Sequence, residues 1–475
     1  MVTATTANTA TDMASAPPSV SRTDSACGRA RTEEGARQPV SLFGRWRAAL
    51  FLVVVFVPGI CLIAVLARAG LAGTWGDSLD VSTLQRAVAL DAANPEWHYN
   101  LGTVHLWAEG GNPAAAVKEL REATRLNAHV ATYWSALGKA CYAAGDLGCA
   151  DQAFERAARL APAKPRLAWE AGLHYAITGR PQNAVPHLQR LLRLDPGQAS
   201  PAFAMLLRAG ADAPFVWREL VSSANPEERL DFLSFLVSHD ETRPAEGLWA
   251  ELAKARTALP QTAATRYVEE LLRHRQYRPA VEVWTYLQRA GVVTGDASAP
   301  AANLVFNGGF EQPLLRDGFD WHLQQLTYLS VDAADRDAHG GKHALRLDFT
   351  VPDNSEYEPA YQFVPVIPGQ TYLLSAYVRA EHITSDSGPR LRVEDPQCRD
   401  CLVVATEGIV GTRGWQRVEA QFTAPASAEV IRLSVWRPRS RSFPMEISGQ
   451  FWLDDVSLRS ISADETQAAA RVPQP

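Results

Sequence analysis

Twenty consecutive uncharged residues, Ala48 to Ala67 (AALFLVVVFVPGICLIAVLA), constrain this chain more than any other stretch. A helix rises about 1.5 Å per residue, so the run spans about 30 Å, the thickness of a bilayer's hydrocarbon core. The sequence therefore predicts a transmembrane anchor over 45–70. Arg31, Arg37, Arg45 and Arg47 precede the run, and only Arg68 follows it before Asp77 and Asp80. That asymmetry predicts a single pass through the inner (cytoplasmic) membrane, with the N-terminus cytoplasmic and the bulk extracytoplasmic. A cleaved signal peptide is the rival reading, because Ala67-Arg68-Ala69 has a small-x-small form; the length of the run and of the tail before it favours an uncleaved anchor. Cys61 follows Ile60, where lipoprotein signals carry a small residue, so lipidation is not expected. Residues 1–44 hold few large apolar groups and are expected to form a disordered cytoplasmic tail, and 461–475 a second disordered tail at the other end.

The chain as a whole has 475 residues, 47% apolar and 21% charged, an ordinary globular balance with enough chain for more than one domain. The formal charge of −6 is spread along the chain without a basic stripe, which argues against nucleic acid as a partner.

After the anchor the sequence repeats itself. Leu137-Gly138, Gly145-Asp146, Ala150, Phe154, Ala157 and Pro162 return 34 residues later as Ala171-Gly172, Gly179-Arg180, Ala184, Leu188, Leu191 and Pro196. Small residues at these positions let two antiparallel helices approach, Phe154 fills the space between hairpins, and the prolines end the second helices. This pattern resembles tetratricopeptide repeats over about 84–197. Helical periodicity continues to about 290 with a poorer match, so 75–290 is read as an all-α solenoid with degenerate repeats or a helical cap. The resemblance implies a concave groove that holds a protein partner, lined by Tyr99, Thr103, Leu106, Trp107, Ser135, Lys139, Tyr142, Trp169 and Leu173. The alternative, that these rings pack between helices, stays open.

Residues 291–302 read as a small-residue linker, and beyond them the apolar period changes from 3.6 to 2. HALRLDFT, AYQFVPV, TYLLSAYVRA, RLRVED, WQRVEAQFTAP, VIRLSVWRP and QFWLDDVSL alternate as strands of an all-β sandwich over 303–460. NLVFNGGFEQ (303–312) reads as a further short strand, a glycine turn and a carboxylate. Together with GFDW, GGKHALRL, PGQTYLLSAYVRA and FWLDDVSL it resembles a bacterial carbohydrate-binding module with a galactose-binding-like jelly roll. That resemblance implies a structural calcium ion held by Glu311 with Asp454 or Asp455, the Lys342 carbonyl being a weaker candidate; oxygen-only donors suit this hard cation. The rival is that these carboxylates only accept backbone amides where the first and last strands meet.

Alternation turns Leu345, Leu347, Phe349, Tyr372, Leu374, Val378, Ile431, Leu433 and Val435 inward. It leaves Arg346, Gln362, Tyr377, Arg379, Arg432 and Trp436 outward, and these are the glycan candidates, with Trp436 and Tyr377 the preferred stacking pair. Against them stands an outward aromatic that merely flanks a charged neighbour. Cys398 and Cys401 sit on a turn where a local disulfide is expected outside the cytoplasm. Cys141 and Cys149 face each other across one helical hairpin, as a second disulfide or as two buried thiols.

No G-x-S-x-G, H-E-x-x-H or G-x-x-x-x-G-K motif occurs. Asp454 and Asp455, adjacent on a strand, are expected to face opposite sides and so not to form an acid–base pair. The expectation is a non-enzymatic adaptor, binding protein through its helices and glycan through its tip. The domain order resembles bacterial envelope proteins of exopolysaccharide synthesis or export in the periplasm, an analogy of arrangement only. The alternative is an envelope scaffold that binds no glycan.

Overall fold

The structure, a computed structural model, describes residues 42–461 apart from 109, 222–224, 296–302 and 335–336. The N-terminal tail up to residue 41, most of the linker and the tail from 462 therefore lie outside the described residues, and residues 42–44 belong to the first helix. The chain divides into two units, 1–75 and 76–475. The first is dominated by α1 (Leu42–Gly76), whose apolar stretch Leu50–Gly76 is 27 residues long. By length and composition it matches a single membrane span or a signal sequence.

The second unit opens with α2 (Val81–Leu90) and the hairpins α3 (Pro95–Trp107) with α4 (Pro113–Leu126), α5 (Ala131–Ala143) with α6 (Leu147–Leu160), and α7 (Pro165–Ile177) with α8 (Pro181–Leu194). Asp80, Asn94, Asn112 and Asp146 cap α2, α3, α4 and α6 through their side chains, and proline begins α3, α4, α7 and α8, where its missing N–H costs nothing. Within the middle hairpin, a Cβ on Gly138 would lie 2.8 Å from the Phe154 ring, so only glycine permits the close approach of α5 and α6. A disulfide between Cys141 and Cys149 joins the same two helices.

Helical packing continues through α9 (Ala199–Arg208), α10 (Ala213–Val216), α11 (Pro226–Ser238), α12 (Thr242–Lys254), α13 (Gln261–Arg273) and α14 (Tyr277–Arg289). One apolar core runs from α7 to α14 and on into Val293, Phe306, Phe319 and Val430 of the C-terminal region. Trp284 of α14 stands edge-on to Phe306 at 5.1 Å between centroids and lies 5.7 Å from Phe319; Tyr277 meets Phe363 at 6.0 Å. Gly318, at φ +64, donates its N–H to Glu269 of α13, and a Cβ there would lie 2.9 Å from the Trp284 ring. The helices and the sandwich therefore share a packed seam.

The sandwich comprises β1 (His322–Leu323), β2 (Leu329–Ala334), β3 (Ala344–Asp353), β4 (Tyr357–Pro365), β5 (Thr371–Ile383), β6 (Arg390–Glu394), β7 (Val403–Ala405), β8 (Gly411–Thr423), β9 (Val430–Arg437) and β10 (Ile447–Ser460). They form two five-stranded antiparallel sheets, β1-β4-β9-β6-β7 and β2-β3-β10-β5-β8, around one core. The seven alternating segments read from the sequence are β3, β4, β5, β6, β8, β9 and β10. NLVFNGGFEQ is not a strand. It lies along the second half of β10, where Leu304 N–H donates to the Leu458 carbonyl, Val456 N–H donates to the Gly308 carbonyl, and Asn303 bonds Leu458 N–H and the Val456 carbonyl through its side chain. The Asn303 carboxamide supplies contacts that a regular strand would make with its backbone, so the ladder is broken.

Candidate functional site

On the helical region, the first helices of successive hairpins present a continuous apolar trough. Leu106, Trp107, Lys139, Tyr142, Leu173 and Ile177 are among the residues lining a recess of about 320 Å3. Leu173 and Ile177 also line a second recess of about 360 Å3, with Trp169, Pro201, Met205 and Arg208. Trp107 is 70% exposed and Ile177 52%, far more than packed core residues allow. The polar spot in the trough is Glu170, which accepts from Lys139 (2.7 Å), Arg166 (3.0 Å) and Ser135. Burial alone would raise its pKa, but the bonds from Lys139 and Ser135 outweigh that and hold it below the ordinary glutamate value. Of the sequence candidates, Leu106, Trp107, Lys139, Tyr142, Trp169 and Leu173 meet here, and Ser135 is buried beneath them on Glu170. Tyr99 instead stacks on Tyr133 at 5.0 Å, and the Thr103 hydroxyl is buried. Ile177 and Met205 escaped the sequence reading; Ile177 lies one turn after Leu173, while α9 falls where the repeat signature fades.

The glycan candidates do not share a face. Trp436 and Arg432 lie on β9 and Gln362 on β4, all in the first sheet, whereas Arg346 on β3 and Tyr377 and Arg379 on β5 belong to the other. The preferred pair, Trp436 and Tyr377, is thus on opposite sides of the sandwich. Gln362 is fully buried: its carboxamide accepts from Phe306 N–H and donates to the Phe306 carbonyl, satisfying a segment that has no strand partner. Tyr377 stacks on His339 with centroids 3.5 Å apart, and the Arg379 and Arg346 guanidiniums cover Trp452 at 4.6 and 5.6 Å.

The first sheet carries instead a polar groove of about 740 Å3. Its floor is a set of crossed ion pairs: Arg432 bonds Glu358 (2.6 Å) and Glu394 (2.8 Å), and Arg392 pairs with the same two carboxylates. Trp436 borders it, donating its indole N–H to Glu356 at 2.7 Å with the Arg392 guanidinium 4.8 Å from the ring centroid. Arg399, on the turn closed by the Cys398–Cys401 disulfide, and Arg275, between α13 and α14, complete the rim. Alternation also points Arg392 and Glu394 outward, although neither is among the glycan candidates; nothing in the strands could have nominated Arg275.

Glu311, Asp454 and Asp455 converge on the loop 339–343. Glu311 accepts from Lys342 N–H (2.6 Å) and His343 N–H (2.9 Å), Asp454 from His339 N–H (2.7 Å) and Gly340 N–H (2.9 Å), and Asp455 contacts His339 Nδ1 at 2.6 Å. Both aspartates reach one loop because a bulge between Asp454 and Ser457 interrupts the alternation and Asp455 adopts φ +48; they do not face opposite sides. The donors that meet Glu311 and Asp454 are N–H groups, and a calcium ion would require oxygen donors there. Among the described residues no cluster of three or more His, Cys, Asp or Glu side chains is arranged to hold a metal. The arrangement fits carboxylates that clamp a loop by its amides and does not fit the ion.

The tetratricopeptide repeat family model matches residues 108–150 and 150–199. Among solved structures, the crystal structure of MamA is 21% identical, with 34% of this chain and 98% of that chain covered and a TM-score of 0.25. A family 16 carbohydrate-binding module-2 is 22% identical, covering 33% of this chain and 99% of its own, at TM-score 0.24. TmCBM61 in complex with beta-1,4-galactotriose is 19% identical, covering 34% and 99%, at TM-score 0.23. No curated protein matches the chain.

Two buried carboxyls of the C-terminal region respond to pH in the opposite sense to Asp151 of the helical hairpins. In the sandwich, burial pushes Asp454 and Asp320 up to about 6 from 3.8, so the folded state binds their protons before the unfolded state does. Their stabilising protonation is complete below 3.8 and lost as pH rises through about 6. In the tetratricopeptide segment, Arg180 bonding holds Asp151 below its ordinary value, so its contribution disappears only as pH falls below 3.8. Urea unfolding of the full chain, followed by tryptophan fluorescence, is therefore expected to show the sandwich gaining stability between pH 7 and pH 5. At about 1.4 kcal/mol per pKa unit, the gain by pH 5 is at most about 1.4 kcal/mol per carboxyl, one unit below the folded-state value. Asp320→Asn with Asp454→Asn flattens that rise; a wild-type sandwich that loses stability over this window contradicts the assignment.

Proposed function

We propose that this protein is a membrane-anchored extracytoplasmic adaptor, holding a protein partner in the trough of its helical repeats and glycan on its sandwich, in a bacterial envelope process such as polysaccharide synthesis or export. The observation that carries the reading is the trough itself. Trp107, Tyr142, Leu173 and Ile177 expose aromatic and aliphatic surface around a single ion-paired carboxylate, Glu170, the apolar centre and polar anchor on which protein interfaces concentrate their energy. The apolar stretch Leu50–Gly76 and the arginines before it support the anchor and its orientation. Support for glycan is the polar groove over β4, β9 and β6, whose closely spaced donors and acceptors suit sugar hydroxyls.

A scaffold without glycan binding is the second reading. The observation favouring it is that Trp436 is already engaged by Glu356 and by Arg392, while the floor carboxylates and guanidiniums satisfy one another.

Two outcomes are expected. A reporter fused after Pro475 is active only outside the cytoplasm, and cytoplasmic activity contradicts the orientation. Trp107→Ala with Tyr142→Ala weakens capture of the protein partner at least about tenfold, a loss of about 1.4 kcal/mol, with the far-ultraviolet circular dichroism unchanged. Undiminished capture removes the trough as the docking face, and lost helicity shows that the two rings are core.

A further inference from the structure

The charges around the sandwich groove are not equally committed. Four acids and four arginines line it, so its formal charge is balanced. The acids are engaged: Glu358 and Glu394 by Arg392 and Arg432, Glu356 by the Trp436 indole, and the buried Asp395 through its Oδ1, which accepts from the N–H groups of Gln397 and Cys398. Arg392 and Arg432 are consumed by the floor. That leaves Arg275 and Arg399, both exposed at the rim, with no ion-pair partner among the described residues. They come from different parts of the fold. Arg275 sits at φ +57 in the turn between α13 and α14, and Tyr277, two residues on, packs against Phe363 of the sandwich, which fixes the turn beside the groove. Arg399 is the second residue of the turn closed by Cys398–Cys401.

We infer that the groove takes an acidic polysaccharide, its sugar carboxylates held between Arg275 of the helical region and Arg399 of the sandwich. The inference rests on the glycan reading above and narrows it to a substrate class. A guanidinium presents two parallel N–H donors that match a carboxylate, and an unpaired one at a groove rim is available to form that charge-assisted pair. The floor between them is mostly polar and offers hydrogen-bonding groups for hydroxyls. Its four acids would repel a polymer with a charge on every backbone unit, whereas carboxylates spaced along a hydroxyl-rich chain can meet the rim and leave the floor to neutral sugar. The helical region is then part of the site, and the sandwich alone holds only half of the carboxylate clamp.

The test uses the full chain in detergent micelles, with immobilised hyaluronate, unsulfated chondroitin and deacylated gellan, whose carboxylates are separated by neutral sugars, each beside its carboxyl-reduced neutral counterpart, and with poly-L-glutamate as an acidic polypeptide. At least one native polysaccharide is expected to bind at least tenfold more tightly than its reduced form, and more tightly than polyglutamate, with affinity falling as salt rises. Arg275→Gln and Arg399→Gln are each expected to weaken that binding at least fivefold without changing the melting temperature, since neither side chain has a structural partner, and to leave any residual binding of the reduced polymer unaltered. Equal binding of native and reduced polymers, insensitive to both substitutions, overturns the inference and leaves the glycan reading standing. Binding of polyglutamate as tight as any polysaccharide overturns it in favour of an acidic peptide ligand. Binding of none of the seven polymers overturns the inference and the glycan reading together.

Discussion

The arrangement of this protein depends on the packing of Trp284 between Phe306 and Phe319. Helical repeats bury their apolar faces against neighbouring repeats, so the last helix of such an array normally needs a polar outer face. Here α14 does not present one: Trp284 is 3% exposed, and the apolar core continues through it into Val293, Phe306, Phe319 and Val430. The sandwich acts as the cap of the solenoid. The hydrophobic term favouring this contact scales with apolar area removed from water, and a buried tryptophan is among the largest single contributors. Around the rings, Glu269 accepts the Gly318 N–H and lies 3.7 Å from His322, which stacks on Tyr361 of β4. Polar contacts of this kind add orientation to a non-directional force.

The seam has a consequence for the surface beside it. Because Tyr277 lies on Phe363, the turn that precedes α14 is held over the outer face of β4 and β9, and Arg275 is carried to the rim of the polar groove. Two recesses of opposite chemistry thus stand on one compact unit: an apolar trough along α3, α5, α7 and α9, and a polar groove over the first sheet.

Much of the architecture was legible because it is periodic. The 34-residue recurrence and the alternation of β5, buried at every second residue from Tyr372 to Ala380, are local signals that one chain carries in full. β1, β2 and β7 were missed, the first and last being two and three residues long, too short to show a period. The site was less legible for a different reason. Alternation tells inside from outside but not which of two sheets a strand joins, so Tyr377 and Trp436 were paired although β5 and β9 lie in different sheets. Gln362 is read as outward, yet it falls in phase with the buried Ala360 and Val364, and its role depends on Phe306, 56 residues away. Asp454 and Asp455 were separated by a rule that a bulge suspends. Arg275 carries no local mark at all, since its place follows from the seam.

The central claim is that the helical region and the sandwich are held at one fixed geometry. Double electron–electron resonance on the full chain tests it directly, with spin labels at Glu246→Cys on α12 and Gln421→Cys on β8, both exposed, and Cys27 and Cys61 replaced by serine. The account predicts a single distance distribution no broader than the label tethers allow. A broad or two-peaked distribution would show the two regions moving independently and would contradict it.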